Sequence, residues 1–264
     1  MALHYALVPP ARLMSLRFAY SSLTWQPADL ERNLGHLAEY GWAGWETREP
    51  LDWLGTPQRI RRLCENAGIE VAVVSGPNAG NSLAEPCQQI SKRRIEFASE
   101  LGTQLYMTKG PRHGPDPMAS DEELDRIAAV YEDLAEHGSR LGVTVAFHPH
   151  VNHFVNSAEE WRRLISRLAI CRLCMDMSHA VHWGYDPQQA TRDFGDRIAY
   201  VHLHDKVNGE AGDLGEGPMC DYAGFLQTVE EVGFTGWVVI CPGGHRKEPD
   251  SMAANRRFLQ SIGY

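Results

Sequence analysis

The chain has 264 residues, of which 43% are hydrophobic and 22% charged, and its formal net charge is −9 at pH 7. The length suits one large domain or two small ones. The acidic balance, with no block of Lys and Arg, argues against a nucleic-acid partner, and no apolar run approaches the ~20 residues of a membrane span.

Residues 1–14 lack a charged start, a long apolar core and a clear cleavage site, so no signal peptide is expected there. We expect 1–14 to be a flexible N-terminal extension and 15–264 to be a single domain. The six cysteines are scattered, and Cys171-x-x-Cys174 has no second pair to complete a zinc site. They are interpreted as buried or partly buried thiols, which fits a cytoplasmic protein.

Short apolar strands alternate with helical segments along the chain. The predicted strands are 16–20, 44–47, 69–75, 104–108, 143–148, 172–176, 198–202 and 237–241. The helical segments that follow them are 27–40, 57–67, 86–101, 121–141, 157–168, 187–194, 221–232 and 248–262. These alternating units predict a parallel (β/α)8 TIM barrel. An open doubly wound sheet is disfavoured because no glycine-rich phosphate loop follows the first strand.

Three of these strands end in side chains of the kind that bind metals. They end at His148, Asp176 and His202. The carboxyl ends of barrel strands meet at one rim, where catalytic groups gather. Two imidazoles and a carboxylate at such a rim predict a site for a divalent metal ion.

Several segments of the chain resemble a known family of barrels. The segment 174–179 resembles its Asp-x-x-His motif, 200–205 its His-x-x-Asp strand, and 214–218, 221–225 and 233–237 its final unit. The family is the xylose isomerase-like TIM barrels, which include sugar-phosphate isomerases, ketose epimerases, inosose dehydratase and endonuclease IV. The resemblance covers 15–264, and Ala146-Phe147-His148-Pro149-His150 is similar to the inosose dehydratase branch.

The resemblance implies one metal ion held by a Glu, an Asp, a His and a second Glu. Asp176 and His202 match this set, whereas His148 and Cys241 stand where the two glutamates belong. Those glutamates are the acid–base pair of the family's ketose epimerases, so epimerisation through two glutamates is in doubt. A set of His148, Asp176 and His202 favours Mn, Zn or Fe, with Cys241 either a fourth ligand or a buried thiol.

Other residues near the strand ends are candidates for catalysis and substrate binding. The resemblance places His179 facing the substrate, as a hydrogen-bond partner or acid–base. Lys109 is a candidate for binding a carbonyl or enediolate oxygen, and His150 for the missing base. Glu46, His204 and Trp183 are candidate substrate contacts.

The leading hypothesis is a metal-dependent isomerase or epimerase of a polyhydroxylated ketone, a sugar or cyclitol, that acts through an enediolate. The alternatives are a dehydratase similar to inosose dehydratase, a non-haem iron oxygenase and a sugar-binding barrel without activity. A zinc phosphodiesterase is disfavoured by the acidic charge. No arginine-rich or glycine-rich phosphate loop is evident, which favours an unphosphorylated substrate. A homodimer or tetramer is expected.

Overall fold

The computed structural model describes residues 16–76, 84–111, 118–151, 153–217 and 219–264. The predicted extension 1–14 lies outside the described residues. Ten strands are found in the described part: β1 Arg17–Ser21, β2 Gly44–Thr47, β3 Glu70–Ser75, β4 Leu105–Lys109, β5 Thr144–His148, β6 Arg172–Asp176, β7 Ile198–Leu203, β8 Asp205–Val207, β9 Glu210–Gly212 and β10 Trp237–Ile240.

Ten α-helices accompany these strands in the described part of the chain. They are α1 Leu30–Glu39, α2 Leu51–Leu54, α3 Pro57–Ala67, α4 Glu85–Leu101, α5 Asp121–Arg140, α6 Ala158–Ile165, α7 Met177–His182, α8 Pro187–Phe194, α9 Tyr222–Glu231 and α10 Asp250–Ser261. Short 3₁₀ helices at Pro27–Asp29 and Gly195–Arg197 lead into α1 and β7.

Eight parallel strands close into a barrel in the order β1-β10-β7-β6-β5-β4-β3-β2. This confirms the predicted TIM barrel. Small side chains such as Ala19 and Ala146 and larger ones such as Met107 and Tyr200 fill the interior. A larger apolar layer packs between the strands and the surrounding helices. Both layers follow from the alternation of side chains along each strand, which sends successive residues inward and outward.

Local signals define the helix ends. Ser120 and Glu123 form a reciprocal capping box at the start of α5. Gly68 and Gly102 adopt the left-handed conformation that ends α3 and α4. Among the described residues, no helix combines the length and the apolar character that a membrane span requires.

The structure contains short elements that the sequence analysis did not predict. Strands β8 and β9 form an antiparallel hairpin around Asn208 and Gly209, which both have positive φ angles. An Asn-Gly turn is a strong hairpin signal, although the flanking polar residues give little strand pattern. Strand β10 ends at Ile240, so Cys241 lies just beyond the strand rather than at its last position.

Candidate functional site

The structure brings the predicted metal ligands to one end of the barrel. His148 and Asp176 are the last residues of β5 and β6, and Asp176 pairs in register with His202 of β7. Cys241 directly follows β10, which is hydrogen-bonded to β7. All four side chains are buried.

Four imidazole rings surround one oxygen of the fully buried Asp176 carboxylate. Oδ2 lies 3.0 Å from His148 Nε2 and from His204 Nε2. It lies 3.5 Å from His179 Nε2 and from His202 Nδ1. The other oxygen, Oδ1, accepts hydrogen bonds from the backbone and hydroxyl groups of Ser178 and caps α7. One oxygen therefore fixes the side chain while the other faces the histidines.

This histidine cluster fits a metal ion better than it fits a set of hydrogen bonds. In the described part of the chain, His179 Nε2, His202 Nδ1 and His204 Nε2 are buried and have no hydrogen-bond partner. Buried polar atoms without partners destabilise a fold unless a bound group satisfies them. A metal ion bound at Asp176 and His202 Nδ1 would satisfy one of these atoms, and a polar ligand bound beside the ion would satisfy the other two.

At the barrel mouth, potential ligand atoms fall into three overlapping groups, each within 4.8 Å; a fourth group among the described residues, Asp213, Glu216 and His245, lies apart from them. The groups are His148, Asp176 and His179; His202, His204 and Cys241; and His148, Cys174 and His202. The predicted ligands are thus spread over neighbouring groups that share His148 and His202. His179 and His204, which the sequence analysis assigned to catalysis and to substrate contact, lie among them.

Burial and neighbouring charges lower the pKa values of some members of this cluster and raise those of others. Burial and the charge of His202 hold the pKa of His148 well below its usual range. Burial acts likewise on His179, which stands beside other histidines. The pKa of His204 is raised to about 10, since Cys241 and Asp176 outweigh its burial. Burial alone would raise the pKa of Asp176, but His179 and His204 hold it well below its ordinary value.

Glu46 lies behind His202 and is fully buried. The Nε2–H of His202 donates to Glu46 Oε2 at 2.6 Å. Ser75 Oγ donates to Glu46 Oε1 at 3.0 Å, and Arg48 Nε lies 2.7 Å from the same oxygen. Despite burial, Arg48 and His202 hold the pKa of Glu46 below its usual range. Glu46 therefore orients His202, and its contact with substrate stays a prediction.

Cys241 lies where positive charges converge. Arg48 Nη2 lies 3.4 Å from its sulfur. Burial would raise the pKa of this thiol, but His202, His204 and Arg48 lower it to about 5. A thiolate is the form in which cysteine binds a metal, so the surroundings of Cys241 suit a fourth ligand.

The remaining candidates line the same mouth. Lys109 pairs with His148 across β4 and β5, and burial lowers the pKa of its ammonium to about 8. The His150 ring lies 4.3 Å from that of His179, centroid to centroid. The Trp183 ring lies 6.2 Å from the His179 ring. All of the predicted site residues thus lie in or directly beside one cluster.

Sequence reasoning missed Arg48 and Cys174. Arg48 is two residues past Glu46, and side chains two apart along a strand share a face, so the strand period was the available signal. Cys174 was predicted as a buried thiol, and it is buried and free. Its place beside His148 and His202 follows from its position two residues before Asp176 on β6.

One family model and several known proteins are similar to this chain. A family model described as "Xylose isomerase-like TIM barrel" matches residues 34–262. The rhizopine catabolism protein MocC of Rhizobium meliloti is 26% identical over an alignment that covers 86% of this chain and 82% of that protein. The inosose dehydratase of Geobacillus kaustophilus is also 26% identical, over 56% of this chain and 55% of that enzyme.

Solved structures with the same architecture include the apo form of the E. coli 3-keto-D-glucoside 4-epimerase YcjR. It superposes with a TM-score of 0.77 at 19% identity, over 94% of this chain and 98% of that one. At this identity the likeness shows a shared fold. The chain spans about half the length of the inosose dehydratase that it matches.

Proposed function

This chain belongs to the xylose isomerase-like TIM barrel family, and from that premise we propose that it is a metal-dependent enzyme acting on a polyhydroxylated ketone, a sugar or cyclitol. The proposed reaction is isomerisation or epimerisation through removal of the proton α to the carbonyl. The observation that carries the proposal is the convergence of four imidazoles on Asp176 Oδ2 beside Lys109.

We assign His148, Asp176, His202 and Cys241 to the metal. A divalent ion of Mn, Zn or Fe bound there would polarise the ketone oxygen and an adjacent hydroxyl as a Lewis acid. Glu46 supports this assignment, since a carboxylate that accepts from the outer nitrogen of a histidine fixes the tautomer that ligation needs.

Proton transfer is assigned to the neutral histidines beside the cluster. Burial holds the pKa of His179 well below its usual range and lowers that of His150 to about 4. Each imidazole is therefore neutral near pH 7 and able to accept a proton. The C–H bond breaks, the proton moves to an imidazole nitrogen, and the electron pair of the bond becomes the C=C bond of the enediolate.

We assign to the ammonium of Lys109 the role of stabilising the negative charge that develops on the enediolate oxygen. With a pKa of about 8, it remains mostly protonated at neutral pH. Return of the proton to the neighbouring carbon, or to the other face of the same carbon, completes the isomerisation or epimerisation and restores the neutral imidazole. His204 and Trp183 are proposed substrate contacts.

Dehydration is the second candidate, and two observations favour it. Inosose dehydratases are among the relatives, and His148 stands in the segment that resembles theirs. In this reaction the enediolate expels a β-hydroxyl, which leaves as water after accepting a proton from Lys109 or a protonated histidine. The two reactions share their first step and differ in the fate of the enediolate.

The decisive experiment incubates the metal-loaded protein in D2O with a panel of ketoses and keto-cyclitols. Proton NMR reports exchange at the carbon α to the carbonyl, and mass spectrometry reports loss of water. Deuterium incorporation without loss of water supports isomerase or epimerase chemistry, whereas loss of water supports the dehydratase.

Asp176→Ala/His202→Ala protein serves as the control and is expected to give neither signal. The proposal fails if folded, metal-loaded protein produces neither signal with any ketone. Oxygen consumption by an iron-loaded sample would then favour the oxygenase.

A further inference from the structure

A second concave feature lies beside the barrel mouth, between the segment after β2 and helix α4. It is a cavity of about 690 Å³. Three arginines, Arg48, Arg93 and Arg94, contribute to its wall, together with the apolar side chains of Leu51 and Ile90. The function proposed above makes no use of Arg93 or Arg94.

Arg94 is an unusual residue because it is charged, only 3% exposed and incompletely bonded. Its Nε donates to the carbonyl of Ser75 at 2.6 Å, and its Nη1 donates to the carbonyl of Glu49 at 2.8 Å. Its Nη2 is buried and has no hydrogen-bond partner among the residues that the structure describes. A buried guanidinium that meets only backbone carbonyls pays a large desolvation penalty.

The neighbouring acid, Glu49, acts on Arg94 through its charge but forms no direct ion pair with it. Glu49 Oε2 accepts hydrogen bonds from the Thr47 hydroxyl and from the backbone N–H of Arg48. Within the described ranges, Arg94 forms no ion pair with Glu49 or with any other carboxylate. Burial raises the pKa of Glu49, which further weakens it as a counter-charge.

The other two arginines differ in their freedom to bind. Arg93 is exposed and has no ion-pair or hydrogen-bond partner in the described part of the chain. Arg48 is paired with Glu46 and contacts Cys241, so it connects the cavity wall to the histidine cluster. Arg93 and Arg94 therefore supply positive charge without a direct ion pair to any described carboxylate, next to a low-dielectric apolar wall. One carboxylate, that of Asp52, also lines the cavity.

We propose that this cavity binds a small oxyanion, the carboxylate or phosphate group of a small molecule, through Arg94 and Arg93. Guanidinium groups bind such oxyanions through paired, charge-assisted hydrogen bonds. The site extends beyond the proposed ketone chemistry. The two arginines that bind the anion are adjacent on α4, and Arg48 is contributed by the segment after β2.

The test measures binding of inorganic phosphate and of acetate to metal-free protein by isothermal titration calorimetry. Metal-free protein is used so that the anions have no metal to bind. The wild type is expected to bind at least one of them, and added salt is expected to weaken the binding. Arg94→Gln is expected to raise the Kd at least tenfold. The absence of binding by both anions would overturn the proposal.

Arg93→Gln keeps the test decisive if Arg94→Gln does not fold, because Arg93 is exposed and has no hydrogen-bond or ion-pair partner among the described residues. We expect its Kd to rise several-fold. Arg62→Gln, at an exposed position on α3, is the matched control and is expected to bind as the wild type does. An unchanged Kd in Arg93→Gln and in folded Arg94→Gln would place the anion elsewhere and overturn the proposal.

A further arm identifies the source of the oxyanion. If it belongs to the enzyme's own substrate, ketones that carry a carboxylate or phosphate will displace inorganic phosphate and neutral ketones will not. If it is a separate ligand, phosphate will bind equally with and without either class of ketone. Both outcomes support the site. Because binding is measured without metal or turnover, failure of this proposal is distinguishable from failure of the proposed reaction.

Discussion

Glu46 extends from β2 to His202 on β7, with β1 and β10 lying between these strands in the barrel. Its hydrogen bond with His202 Nε2 leaves Nδ1 facing Asp176. Partners of this kind behind a ligating histidine contribute to metal affinity without touching the metal. We therefore expect Glu46 to contribute to metal affinity although its side chain is fully buried.

We expect Glu46→Gln to weaken metal binding by about 10–100-fold while leaving the barrel folded. Glutamine keeps the size of the side chain but removes the charge that orients His202. Competition with a chromogenic chelator measures the affinity, and circular dichroism checks the fold. Ser75→Ala, which removes one donor to the other oxygen of Glu46, should have a smaller effect. Equal affinities in Glu46→Gln and wild type would contradict this role.

Lys109 supplies a prediction about stability and pH. Its pKa is about 8 in the folded chain, against about 10.4 in an unfolded one. Between these values the unfolded state binds more protons, so stability rises with pH. Burying the ammonium thus destabilises the metal-free protein below pH 8, and the penalty disappears as pH approaches 10.

Lys109→Met should accordingly be more stable than wild type at pH 7, by up to about 3 kcal/mol. The difference should shrink between pH 8 and pH 10. Urea denaturation of metal-free protein at several pH values measures it, with the exposed Lys247→Met as the control. Parallel stability curves for Lys109→Met and wild type would rule out a buried, strained ammonium.

At the scale of elements, the strand ends could be predicted and the contacts between them could not. His148, Asp176 and His202 each end or nearly end an apolar run. The alternation of side chains along these runs, together with their strand-like length, predicted that the three residues meet at one rim. The approach of Glu46 to His202 depends on barrel closure and on a register shift between Trp45 and Glu46 in β2. No local sequence pattern encodes this register shift, and none predicts the cavity beside α4.

The Gly-Glu-Gly segment after β9 packs so closely against the neighbouring backbone that a side chain would not fit at its second glycine. Asp205 Oδ2 accepts from the backbone N–H groups of Gly215 and Gly217, at 2.9 and 3.0 Å. A Cβ at Gly217 would lie 1.9 Å from the carbonyl oxygen of Lys206. The segment therefore folds closely against β8, and this packing requires glycine.

We expect Gly217→Ala to destabilise the protein by about 1–3 kcal/mol, since the backbone must move to relieve the overlap. Gly35→Ala is the matched control because a Cβ there meets no atom within 4 Å. Gly35 lies inside α1, where alanine is favoured by up to ~1 kcal/mol. Denaturation midpoints of the two variants should move in opposite directions. Equal stability of Gly217→Ala and wild type would contradict the packing argument.

At the scale of the whole molecule, a bound metal would join neighbouring barrel strands. The assigned ligands come from β5, β6 and β7 and from the residue after β10, and these four strands are consecutive in the barrel. A ligand that binds only the folded state raises stability with its concentration. Zn or Mn at about 100 times its Kd should therefore stabilise the protein by about 2.7 kcal/mol.

Thermal unfolding with and without metal measures this gain, and chelation should reverse it. Asp176→Asn is the informative variant, because asparagine retains an oxygen to cap α7 but removes the negative charge that faces the histidines. It should show no metal-dependent rise in Tm. A rise equal to that of wild type would remove Asp176 from the ligand set. The homodimer or tetramer stays a prediction for light scattering to test.

The contact between Glu46 and His202 joins the two halves of the chain, which has a consequence for hybrid barrels assembled from the halves of two relatives. Every assigned ligand lies within residues 148–241, whereas the carboxylate that orients His202 belongs to Glu46, in the first half of the chain. A hybrid that joined the first half of a relative to the second half of this chain would inherit a complete ligand set. It would inherit the orientation of His202 only if its other parent supplied an acid at the end of β2.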